Sequence, residues 1–76
     1  MELDERKIDE AVLAMLYLAF MPKHRRAWKS LDWEALDRLH QRGLISDPVS
    51  KAKSVVLTEE GEAEGKRLAE KLFGKA

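Results

Sequence analysis

The sequence predicts a small α+β domain: three helices, with a two-stranded hairpin between the second and the third. Three observations carry that reading. Apolar residues recur at helical spacing over 4–21, 33–42 and from 59 onward. Gly43 and Asp47-Pro48 separate the second helix from the hairpin. Ser54-Val55-Val56-Leu57-Thr58 is a β-branched run with a shorter partner in Leu44-Ile45-Ser46. With 76 residues the chain makes one domain.

The first helix is expected from Asp4 to Met21. The Asp4 carboxylate suits the N-cap, Leu3 and Ile8 fall at the staple positions, and Pro22 comes directly after the end. This helix is apolar on two sides. Ile8, Ala11, Val12, Met15 and Ala19 form one stripe, whereas Leu13, Tyr17 and Phe20 point roughly the opposite way. Two arrangements cover the second side. Either the same helix of another copy packs on Leu13, Tyr17 and Phe20, or the C-terminal helix folds back over them. Small domains bury little surface and have no disulfide to lean on here, so a homodimer is the expectation.

Residues 23–31 (KHRRAWKSL) read as a basic connector with one helical turn. The second helix runs from Trp33 to Arg42, with Asp32 as N-cap and Leu31 paired with Leu36. Gly43 then takes the left-handed position, and Leu44 closes back on Leu39. The hairpin loop spans Asp47 to Lys53. Thr58 caps the third helix, and Glu59 and Glu60 suit the positive end of its dipole. Gly61 and Gly65 open a stripe that continues through Leu68, Ala69 and Leu72.

Composition narrows the function. Hydrophobic residues make up 45% and charged residues 37%, the balance of a folded chain. Fourteen Lys and Arg balance fourteen Asp and Glu, so a generally basic DNA-coating protein is excluded. There is no cysteine, hence no disulfide scaffold, thiolate zinc site or cysteine nucleophile. The longest apolar run, Ala11 to Met21, is too short to span a membrane, and the acidic start is unlike a secretory signal. A cytoplasmic protein without membrane partners is expected.

The charge is unevenly placed. Residues 23–31 hold Lys23, Arg25, Arg26 and Lys29 without an acid, while residues 1–22 carry five acids against two bases. The hairpin loop adds Lys51 and Lys53. If connector and loop share a face, they form a patch for phosphates.

The stretch Leu36 to Gly61 resembles the winged-helix core of MarR-type and PadR-type regulators. The matching residues are Leu36, Arg38, Leu39, Gly43, Leu44 and Ile45, then Leu57, Thr58, Glu59, Glu60 and Gly61. Over its whole length the chain also resembles a family of short bacterial proteins of unassigned function. Those share LDRLH, GLISDP and SKAKSVVLTEEG, here Leu36–His40, Gly43–Pro48 and Ser50–Gly61. The first resemblance implies a winged-helix-like domain in which Trp33 to Arg42 is the recognition helix and Asp47 to Lys53 the wing. It further implies a dimeric module that binds duplex DNA. Arg25, Arg26, Lys29, Lys51 and Lys53 would then lie on phosphates, and Arg38 and Gln41 nearest the bases.

The residues also set limits on that implication. With Leu36 and Leu39 turned to the core, Glu34, Asp37, Arg38 and Gln41 are expected outward, and two of these four are acids that repel phosphates. The alternative is a protein-interaction module on the same scaffold, without nucleic acid. No catalytic constellation is expected: the serines lack a nucleophile-elbow context and no glycine-rich phosphate loop occurs. His24 and His40 share no ligand spacing, so neither a metal nor a cofactor is expected. Trp28 and Trp33 are expected to plug the small core, with base stacking as the alternative.

Overall fold

A computed structural model of the protein describes residues 1–19, 26–28, 33–49 and 54–75. The order is α1 (Glu5–Leu18), β1 (Arg26–Trp28), α2 (Trp33–Gln41), β2 (Ser54–Val56) and α3 (Glu59–Phe73). The expected α+β class and the three helices are present.

The helix ends arise from local chemistry. Asp4 Oδ1 accepts from the backbone N–H groups of Arg6 and Lys7 at 3.0 and 3.4 Å, so two orphan donors of α1 are satisfied. The helix stops earlier than expected, at Leu18, with Ala19 as C-cap. At the end of α2, Gly43 has φ 75°, the left-handed region that favours glycine. The Gly43 N–H donates to His40 O at 2.9 Å and the Leu44 N–H to Leu39 O at 3.0 Å, the paired bonds of a Schellman stop. Thr58 begins α3: its Oγ1 accepts from the Gly61 N–H at 3.0 Å. The same hydroxyl donates to Gly43 O at 2.7 Å. One side chain therefore ties the end of α2 to the start of α3.

The sheet differs from the expected hairpin. β1 pairs antiparallel with β2, in the register Arg26↔Val56, Ala27↔Val55 and Trp28↔Ser54. The connector expected to hold a helical turn thus contains a strand. The physical reason is the far edge of β2: Val55 is fully buried, and buried backbone groups need partners. The expected partner segment is also in place but contracted to a single bridge, Ile45↔Leu57. Around it, the Ser46 N–H donates to Val56 O at 2.8 Å and the Val56 N–H to Ser46 Oγ at 2.9 Å.

The core is built from one side of each helix and the strands. Leu13 and Leu16 of α1, Leu36 and Leu39 of α2, Ile45, Leu57 and Leu68 of α3 are all nearly inaccessible. Two glycines set how closely α3 lies. A Cβ on Gly61 would stand 1.8 Å from the Leu44 carbonyl oxygen, and one on Gly65 would stand 2.9 Å from Tyr17 Cβ. The glycine stripe read in the sequence is therefore a close-packing surface.

This packing corrects the interface residues expected on α1. Leu13 is 1% exposed and Tyr17 half-buried, because α3 folds back over that side within the same chain. Phe20 lies outside the described residues. The opposite stripe, expected to face the core, is only partly covered: Val12 is buried, Ile8 and Ala11 are half-buried, Met15 stays 48% exposed and Ala19 is exposed. Trp33, expected in the core, is 55% exposed at the first position of α2. There its side chain precedes the inward positions Ala35 and Leu36.

Candidate functional site

The best-defined polar constellation joins α1 to α2. Asp9 sits on the core-facing side of α1, in series with Val12, Leu13 and Leu16, and is 5% exposed. A carboxylate so placed needs a cation with matching geometry. Arg38 supplies it from α2. Its Nε donates to Asp9 Oδ1 and Oδ2 at 3.0 and 2.8 Å, and its Nη2 donates to Oδ1 at 2.7 Å. The remaining arm, Nη1, donates to Glu5 Oε2 at 3.0 Å. Guanidinium and carboxylate meet side-on, the geometry in which arginine is strongest.

The clamp forms one wall of an open cleft of about 620 Å³ between α1, α2 and α3. The cleft is lined by four arginines (Arg6, Arg38, Arg42, Arg67) and four acids (Glu5, Asp9, Glu10, Glu64) over a leucine floor. Each acid has a base. Glu5 and Asp9 share Arg38, Glu10 lies 3.6 Å from Lys71 Nζ, and Glu64 holds Arg67. The hydrogen bond from Arg67 lowers the Glu64 carboxyl below its ordinary range, against a smaller opposing effect of burial. The same bond raises Arg67. Each of the four acids of the cleft thus has a base beside it, and Arg6 and Arg42 line the cleft as well. Among the described residues no three His, Cys, Asp or Glu side chains gather as a metal site. His40, half-buried, points its Nδ1–H at Ile45 O, 3.1 Å away, and so serves the turn after α2.

The residues expected on DNA separate into three groups. Arg38 does not face outward as expected; it is turned into the clamp, since Asp9 offers it a dry, bidentate partner. Gln41 is exposed on α2, and its Nε2 donates to Asp37 Oδ2 at 3.0 Å. Arg25, Lys29, Lys51 and Lys53 lie outside the described residues, and Arg26 is described by its place in β1. The exposed residues of α2 are thus Trp33, Glu34, Asp37 and Gln41.

A second feature lies where α1 and α3 end together. Tyr17 and Leu18 from α1, with Ala69 and Phe73 from α3, line a shallow apolar groove of about 260 Å³, rimmed by Lys66 and Glu70. Leu18 and Phe73 are 61% and 53% exposed. Sequence reasoning missed both the clamp and this groove. The signal for the clamp was available: Asp9 occupies an inward position of an otherwise apolar stripe.

Fold and site together define a small α+β domain in which Arg38 ties α2 to Asp9 and Glu5 of α1, and Lys71 of α3 stands beside Glu10 of α1. The chain matches, over residues 4–75, the family described as Domain of unknown function (DUF6429), and it belongs to that family. It is also similar to uncharacterized protein y4hR of Sinorhizobium fredii, with 56% identity over 73 residues that cover 96% of this chain and 97% of the relative. No solved structure matches. No described helix is long and apolar enough to cross a membrane.

Proposed function

We propose that this protein is a non-catalytic interaction module that works by protein–protein contact. The observation that carries the reading is the outward side of α2. On a winged-helix-like scaffold this helix would meet DNA, yet it presents Glu34 and Asp37, while Arg38 is committed to Asp9 and Glu5. Phosphates are held by surplus Lys and Arg, not by acids. The paired charges of the cleft support the absence of catalysis. The order α1-β1-α2-β2-α3 and the Ile45↔Leu57 bridge support a winged-helix-like scaffold, shortened between β1 and β2.

One observation favours a second reading, a dimeric transcription-regulatory module that binds duplex DNA. Residues 23–31 hold Lys23, Arg25, Arg26 and Lys29 without an acid, a local surplus of base in a chain of zero net charge. Anisotropy of a labelled random-sequence duplex, at about 50 and about 200 mM salt, separates the readings. The interaction reading expects no salt-sensitive binding. Micromolar binding that weakens roughly a thousandfold at the higher salt would overturn it.

A further inference from the structure

We infer that the partner is a second copy of this chain, docked antiparallel across a two-fold axis on the outer side of α3. This inference rests on the protein-interaction reading and names its occupant.

The outer side of α3 carries Ala63, Lys66, Glu70 and Phe73, all exposed. Their spacing of three, four and three residues places them within an arc of about 80° along the helix. The seam is symmetric about Leu68. Two copies laid antiparallel therefore set Lys66 opposite the partner's Glu70, and Glu70 opposite the partner's Lys66. They also set the Phe73 ring over the partner's Ala63, the small member of the seam. An isologous contact requires this reciprocity, because one patch must complement itself.

The charges are otherwise idle. Lys66 and Glu70 stand at i and i+4 in the less favourable order for a pair within one helix. Among the described residues neither enters an ion pair, whereas Glu10, Glu64, Arg67 and Lys71 of the adjoining faces all do. The groove beside the seam, with Leu18 and Phe73 exposed, supplies apolar surface that a partner helix covers. The seam is about three turns long, which places the contact in the small, reversible class of interface.

Sedimentation equilibrium of the full chain, from micromolar to millimolar protein, tests this. The wild type is expected to dimerise reversibly, and more weakly at higher salt, since exposed ion pairs are screened. Lys66→Glu faces carboxylates with carboxylates and should weaken association about tenfold or more. Lys66→Glu combined with Glu70→Lys restores opposite charges and should recover it. Both substitutions are on the solvent side of α3, and helical circular dichroism confirms that the fold persists. A wild type that stays monomeric throughout overturns the inference but leaves a different protein partner in place. Dimerisation that ignores Lys66→Glu and is lost in Met15→Glu also overturns it, and moves the contact to α1. Duplex binding by the anisotropy test instead overturns the reading beneath it.

Discussion

Asp9→Asn measures how firmly Arg38 is committed to the fold. The substitution keeps the shape of the side chain and removes its charge. It also puts an amide donor where the guanidinium finds an acceptor. Three hydrogen bonds of 2.7 to 3.0 Å are affected, at a carboxylate only 5% exposed. Breaking a fully buried pair from one side costs about 3–5 kcal/mol. Arg38 is 26% exposed at its side chain and keeps Glu5 at 3.0 Å, so the cost falls at or just below that range, about 2–3 kcal/mol. A domain of 76 residues has a total stability of about 4–11 kcal/mol, so the loss is large. Urea unfolding followed by circular dichroism reads it as a lower midpoint with an unchanged slope. The pair Asp9→Leu with Arg38→Met leaves no orphaned charge and should recover most of the loss. A cost for Asp9→Asn under about 0.5 kcal/mol, the level of an ordinary surface change, would refute the reasoning. Arg38 would then be available to an outside partner, and the argument against α2 as a DNA reader would fall with it.

Two further outcomes rest on the packing and the charges. Gly61→Ala drives a methyl to 1.8 Å from a backbone oxygen that cannot yield, and should cost more than about 3 kcal/mol. Gly65→Ala meets the half-buried Tyr17 side chain at 2.9 Å and should cost less, so the ranking of the two unfolding midpoints is the check. For Glu64, a lowered folded value means that its contribution is present above the ordinary value of 4.5 and is lost as pH falls through the lowered one. Acid titration of stability should show a shallow loss in that window, shallower still in Glu64→Gln, because the pair with Arg67 is solvent-screened.

What the sequence makes legible is local. The Asp4 cap, the Gly43 stop and the Thr58 cap each depend on residues within a few positions, and all three are where they are expected. What it hides is non-local. Strand β1 lies in a basic run with no alternation of its own, and it exists because β2 needs an edge partner. The side of α1 that α3 covers is marked by Gly65, about fifty residues on, which meets Leu13 and Tyr17, so the two apolar sides of α1 can be counted but not assigned. Arg38 reads as outward because Leu36 and Leu39 of the same helix take the inward positions. Its actual partners lie 29 and 33 residues earlier.

The working surface we infer for this protein is the outer side of α3 and not α2. Amide chemical shifts of the labelled protein, followed by dilution from millimolar to micromolar concentration, test it residue by residue. Movement confined to Ala63, Lys66, Glu70, Phe73 and the neighbouring Leu18, with Glu34, Asp37 and Gln41 unmoved, is the predicted result. A spectrum that does not change on dilution, or changes centred on α2, would contradict it.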